Sequence, residues 1–169
     1  MPEPTNPSQL LVNQLYGNRL RLRVCGLYRE GDRLLMVNHR GVGTSSSLWI
    51  PPGGGVEFGE IATAALQREV REETGLIIEP GRLICVHEFV VPPLHAVELF
   101  FETTRIGGQL QIGQDPEMNN ADQLICDVRL MTFAEIKALP ANQVHSLFSR
   151  CHSLDALFTP TGYLTTNEW

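Results

Sequence analysis

The stretch from Glu60 to Thr74 constrains this chain more than any other part of it. It is rich in Ala, Leu, Gln, Arg and Glu, contains no Pro and is followed by Gly75, a residue suited to a C-terminal cap. A helix is therefore predicted there. At about 100° per residue, Ala62, Ala65 and Leu66 project within roughly 60° of Glu69. Glu72 and Glu73 fall in the same arc, while Gln67, Arg68, Arg71 and Thr74 point away from its centre. The apolar stripe that should face a core thus runs into three glutamates at the end of the helix.

That placement carries penalties. Like charges three or four residues apart repel by about 0.2–0.5 kcal/mol per pair, and negative charge at a helix C-terminus opposes the macrodipole by about 0.3–1 kcal/mol. Partial burial enlarges both. A hard divalent cation with oxygen ligands offsets all of them, and Mg²⁺ typically binds through a few carboxylates plus the phosphates of a substrate. The plain alternative is a solvated acidic face balanced by Arg68 and Arg71. It leaves the shared stripe unexplained.

Ahead of the helix, Pro51-Pro52-Gly53-Gly54-Gly55 is a stiff bend followed by three positions where main-chain groups can approach a ligand with no Cβ in the way. Gly54, five residues to Glu60, then seven to Arg68-Glu69-Val70-Arg71-Glu72-Glu73-Thr74-Gly75-Leu76 resembles the Nudix box, G-x5-E-x7-R-E-U-x-E-E-x-G-U with U apolar, at every specified position. A looser likeness extends from about Leu20 to Leu139. One local departure is Pro51, which stands where the family usually has Leu or Phe and stiffens the entry loop.

The resemblance implies an α/β fold, a Nudix-type α/β/α sandwich with a mixed β-sheet and a loop-helix-loop catalytic motif. It also implies hydrolysis of the pyrophosphate bond in a nucleoside diphosphate linked to another moiety. By the family pattern, Glu69, Glu72, Glu73 and the Gly53 carbonyl hold Mg²⁺, with Mn²⁺ able to substitute. Arg68 orients the acidic cluster, Glu69 is the choice for general base with Glu72 beside it, and Gly54 and Glu60 support the site from its edge. Pro92, sixteen residues beyond Leu76, resembles the downstream proline of Nudix ADP-ribose pyrophosphatases. An ADP-ribose-like substrate is the expectation, with a nucleoside triphosphate or a nucleotide-sugar as alternatives. A non-catalytic nucleotide-sensing domain is the alternative of a different class, which an intact box disfavours.

Outside the box, Arg40 at the end of a strand offers a guanidinium fork for a phosphate, and Glu117 in the later loop offers another acidic participant. A surface arginine and a solvated carboxylate are the competing readings. Trp49 suits a base stack or the core. His87, His95, His145 and His152 show no ligand spacing and receive no role.

A chain of 169 residues suits one domain with a sizeable core. The expected organisation is an N-terminal arm over 1–18, the catalytic domain over 19–153 and a C-terminal tail over 154–169. A formal net charge of −6 argues against nucleic acid as a partner, so the expected partner is a small nucleotide; a homodimer is compatible. Cys25, Cys85, Cys126 and Cys151 lack a C-x-x-C pair and read as reduced thiols. With no basic region leading into an apolar run and no run long enough to span a bilayer, a cytoplasmic protein is expected.

Coarse elements follow from pattern. Leu10, Leu11, Leu15 and Tyr16 suggest a short helix. Leu20, Leu22 and Val24 alternate with Arg21, Arg23 and Cys25 as a half-buried strand. Further strands are expected over Leu34 to Asn38, Leu83 to Val91, Val97 to Thr104 and Leu124 to Met131. Thr132-Phe133-Ala134-Glu135 reads as a capping box opening a short helix, and a last helix is expected from Asn142 to Ser153.

Overall fold

The computed structural model describes residues 7–40, 47–114 and 123–167. Its helices are α1 (Pro7–Tyr16), α2 (Ala62–Thr74), α3 (Phe133–Ala138) and α4 (Leu154–Leu157), and its strands are β1 (Leu20–Leu27), β2 (Arg29–Glu30), β3 (Arg33–Arg40), β4 (Ser47–Ile50), β5 (Gly53–Gly55), β6 (Leu76–Val91), β7 (Leu94–Gly108), β8 (Ile125–Thr132) and β9 (Gly162–Asn167). One sheet runs β5-β1-β7-β6-β9, and in the other β3 pairs antiparallel with β2, β4 and β8. The first sheet is mixed: β1 lies parallel to β7 and β6 parallel to β9, while β6 and β7 form an antiparallel hairpin.

Two apolar clusters make this an α/β/α sandwich. Leu27, Met36, Phe100 and Cys85 from both sheets meet Ile136 of α3 and Leu157 of α4 on one side. On the other, Ala65, Leu66 and Val70 of α2 pack on Val24, Leu35 and Ile78, again from both sheets.

Helix α2 begins two residues later than its composition suggests. Glu60 donates its N–H to the Glu57 carbonyl in a turn, and Ile61 is the extended N-cap. Its other end is closed by Gly75 at φ 72°, whose N–H reaches the Arg71 carbonyl at 2.9 Å. The segment after β7 then supplies donors to two of the last carbonyls, Gln111 N–H to Thr74 and Gly113 N–H to Glu73. The end that carries the glutamates is thereby fixed.

Several expectations need correction. Thr74 is fully buried and Arg68 half-buried, because the sheets cover a wider arc of α2 than the Ala62-Ala65-Leu66 stripe indicated. In β1 the alternation is inverted at its start: Leu20 and Leu22 are exposed, whereas Arg21 and Arg23 line a cleft. Val24, on the same face as the leucines, packs under α2; the leucines lie where α2 gives no cover. The last helix expected from Asn142 to Ser153 is two 3₁₀ turns, Ala141–Gln143 and Ser146–Arg150. Val144 between them is extended and bridges Trp49, a conformation its β-branch favours. Strands β6 and β7 are longer than expected, since neither Pro80 nor Gly81 ends the pairing.

The capping box of Thr132 and Glu135 is formed, and Trp49 lies in the core. Residues 7–18 contribute α1, whose Val12, Asn13 and Tyr16 face the same cleft. Segment 154–169 contributes α4 and the edge strand β9. No helix among the described residues is long and apolar enough to cross a membrane.

Candidate active site

The cleft, about 560 Å³ in volume, lies between the C-terminal half of α2, β5, the inward face of β1 and the β6–β7 hairpin tip. It brings together Gly53, Gly54, Arg68, Glu69, Glu72 and Glu73, with Glu60 held at its edge through Arg68. Arg40 is not among the lining residues; it is exposed at the end of β3, and its neighbour His39 faces inward instead. Period-two alternation turns the two side chains to opposite faces. Glu117 lies outside the described residues.

Arg68 organises one side of the carboxylate group. Its Nε and Nη2 form a fork on the two oxygens of Glu60 at 3.0 and 2.9 Å, its Nη1 reaches Glu69 at 3.0 Å and Glu72 at 3.3 Å, and Nη2 also donates to the Gly55 carbonyl at 3.1 Å. The Glu60 bonds raise the arginine above its ordinary value and lower Glu60 in turn. Glu69 is different. Burial, then the nearby Glu73, push it up to about 7 against the pull of Arg68.

Glu73 is buried and spoken for on both oxygens: His39 Nε2 lies 2.8 Å from Oε1, and the Gly53 N–H donates to Oε2 at 2.8 Å. The glycine turn is thus tied to the end of α2 by a carboxylate, with the Gly53 carbonyl on the cleft side accepting from Arg23 Nη2 at 3.4 Å. Gly54 has a steric reason to be glycine. A Cβ there would stand 2.3 Å from the Glu69 carboxylate carbon. Gly54→Ala should therefore displace Glu69 and, on the expectation that Glu69 is the general base, lower kcat by about 10²-fold. Steady-state hydrolysis at saturating metal, alongside a thermal melt, checks this; unchanged kcat in a folded variant would contradict it.

The family resemblance implies a divalent metal, and the residues fit one. The donor set is carboxylate and carbonyl oxygen, suited to a hard cation, and one arginine is shared among three carboxylates. Glu69, Glu72, Glu73 and the Gly53 carbonyl would hold it, the last two through the lone pairs that their present hydrogen bonds leave over.

Beside this cluster is a group that sequence patterns did not reveal. Glu98 of β7, buried, receives His145 Nε2 at 2.8 Å and His87 Nδ1 at 3.0 Å on one oxygen, and Arg23 Nε lies 3.3 Å from the other. Burial alone would raise Glu98, but His145, His87 and Arg23 hold it well below the usual carboxylate range. His145 Nδ1 accepts the Leu147 N–H at 3.1 Å, which assigns its proton to Nε2, facing Glu98. The two histidines and the glutamate offer ligand atoms within 4.8 Å of one another. Protons on the nitrogens facing the carboxylate, and the arginine beside it, make this a charge-compensated hydrogen-bond node and disfavour a cation there. Its one sequence signal is a carboxylate inside the apolar run Val97 to Phe101; the histidines come from other elements.

Comparison with known proteins places the family and the fold. The chain is 30% identical over 112 residues to an ADP-ribose pyrophosphatase of Methanocaldococcus jannaschii, covering 62% of this chain and 66% of that protein. It is 34% identical over 108 residues to the 8-oxo-dGDP phosphatase NUDT18 of Mus musculus, covering 61% of this chain and 32% of that one. The matches thus span less than two thirds of these relatives' own lengths. In fold it resembles the crystal structure of a MutT NUDIX hydrolase from Burkholderia pseudomallei, with a TM-score of 0.63 and 20% identity over 85% of this chain and 99% of that one. The NUDIX domain model matches residues 17–150, so the glycine turn, the fixed helix and its carboxylates sit within a match over most of the sequence, and this chain belongs to the Nudix family.

Proposed function

We propose that this protein is a metal-dependent pyrophosphohydrolase that cleaves a nucleoside diphosphate derivative, with ADP-ribose or a close relative as its substrate. The observation that carries the reading is the charge layout of the cleft: Glu69, Glu72 and Glu73 lie on the α2 side, and Arg21 and Arg23 on β1 face the same space. One side suits cations and the other suits phosphate oxygens. The cleft volume lies within the usual range for small-molecule sites, about 300–1,000 Å³.

When bound, Mg²⁺ or Mn²⁺ would neutralise the diphosphate and lower the pKa of a water. Glu69, in its ionised form, takes a proton from the attacking water on a carboxylate oxygen. Arg68 keeps that carboxylate turned toward Glu72, Glu73 fixes the Gly53 turn, and Arg23 faces the phosphates from β1. Water oxygen joins one phosphorus, the bond from that phosphorus to the bridging oxygen breaks, and two monophosphates leave. For ADP-ribose these are AMP and ribose 5-phosphate.

The preference for ADP-ribose rests on Pro92 and Pro93, which line the cleft at the hairpin tip, and on the name of the archaeal relative. A stiff wall there favours a ligand with a second sugar over a triphosphate tail. The same reading makes the partner a small nucleotide and the working compartment the cytoplasm. A hydrolysis screen over ADP-ribose, nucleoside triphosphates, 8-oxo-dGDP and nucleotide-sugars tests it, with and without chelation. ADP-ribose should give the highest kcat/KM, and chelation should abolish turnover until Mg²⁺ or Mn²⁺ is returned. A triphosphate or nucleotide-sugar ahead by about tenfold or more would retire ADP-ribose. Binding without cleavage across the panel would make this a sensor domain.

A further inference from the structure

Arg21 and Arg23 share one face of β1, so their Cα atoms are about 6.6 Å apart. Their surroundings differ. Arg23 is committed, with Nε 3.3 Å from Glu98 and Nη2 on the Gly53 carbonyl. Arg21 makes no ion pair with a carboxylate among the described residues; its Cζ sits 3.8 Å from the centroid of the Tyr16 ring. Stacking holds a guanidinium by its flat face and leaves its in-plane N–H groups available.

The ring is itself held in place. Tyr16 ends α1, Gly17 donates to the Asn13 carbonyl at 2.8 Å, and Asn18 donates to the Pro93 carbonyl at 2.8 Å, tying the helix end to the β6–β7 hairpin tip. A Cβ on Gly17 would meet the Asn13 carbonyl oxygen at 2.4 Å, so the joint is close-packed. The arrangement keeps a cation in the cleft at a cost. Burial, and then Arg23, lower Arg21 to about 10, still charged at neutral pH. An anion between the two arginines would relieve both penalties.

Resting on the pyrophosphohydrolase reading above, we infer that Arg21, held flat by Tyr16, binds the phosphate of the substrate diphosphate that lies farther from the carboxylate cluster. The direction follows from register. Gly55 stands opposite Arg23 and Gly53 opposite Cys25, so Arg21 is one strand repeat farther out than Arg23 from the turn that meets Glu73. The charged phosphate oxygens accept from its in-plane N–H groups while the ring fixes its plane. Helix α1 is then part of the substrate site.

The test is calorimetric binding of inorganic pyrophosphate, in the presence of Mg²⁺, to the full chain. Arg21→Ala should weaken pyrophosphate binding by about 10- to 100-fold, the loss of charge-assisted hydrogen bonds. Arg21→Lys should fall between, keeping charge without the fork. Tyr16→Leu, which leaves the arginine but frees its plane, should weaken binding by a smaller factor. Mn²⁺ affinity in the absence of pyrophosphate should be unchanged in all three, separating this site from the carboxylate cluster. Arg21→Lys and Tyr16→Leu keep the question answerable should the alanine variant fold poorly. Pyrophosphate affinities of Arg21→Ala or Arg21→Lys equal to wild type would overturn the inference, as would wild-type protein that binds no pyrophosphate. Loss of pyrophosphate affinity in a protein that ignores ADP-ribose would leave the inference standing and retire only the substrate.

Discussion

Glu69→Gln should lower kcat by about 10²–10⁴-fold, the range for removing a general base, while making the metal-free protein more stable at neutral and alkaline pH. Both effects have one origin. In the folded, metal-free protein burial and Glu73 raise Glu69 from 4.5 to about 7, so the native state holds a proton that the unfolded chain has released. Stability contributed by the neutral acid is fully present below about pH 4.5 and is lost as pH rises through about 7. The cost of ionising it reaches on the order of 3 kcal/mol at most. The amide does not ionise, so the variant escapes that loss. Chemical denaturation across pH 5 to 8, paired with steady-state rates, reads both directions. A variant that keeps wild-type turnover, or whose stability falls with pH as steeply as the wild type, contradicts the assignment.

Glu98→Ala should be the most destabilising single change at the cleft, by about 3–5 kcal/mol, because it leaves a buried arginine without its counter-charge. The carboxylate is the common acceptor for His87, His145 and Arg23, and no other carboxylate among the described residues takes over that place. Glu98→Gln keeps one acceptor oxygen and should cost less. Urea unfolding of metal-free protein measures both; a loss below about 1 kcal/mol for the alanine variant would mean that Arg23 finds compensation in water.

The sequence was most informative where structure is local. The Gly75 cap and the Thr132–Glu135 box depend on contacts within a few residues, and each appears in the fold. The carboxylate end of α2 was legible because its penalties are visible in one helix. Side-chain facing at a strand end is poorly fixed by a short pattern: Arg40 faces away from the cleft, and the inward side chain is its neighbour His39, which meets Glu73. The inverted start of β1 misled for a related reason. Leucines alternating with arginines suggest leucines inside, but a strand that borders a cleft can turn its arginines inward and leave leucines uncovered. The Glu98 node was invisible because its members come from β1, β6, β7 and the segment after α3. The β6–β7 hairpin sets His87 opposite Glu98, the β1–β7 pairing sets Arg23 beside it, and the turn at His145 adds the second histidine.

The most direct test of the carboxylate cluster as a metal site is a Mn²⁺ titration followed by electron paramagnetic resonance, comparing wild type with Glu69→Gln. The wild type should suppress the free-ion signal as sites fill, and the variant should bind at least about 10-fold more weakly. Equal Mn²⁺ affinity in the two proteins would contradict the placement of the cation at the end of α2.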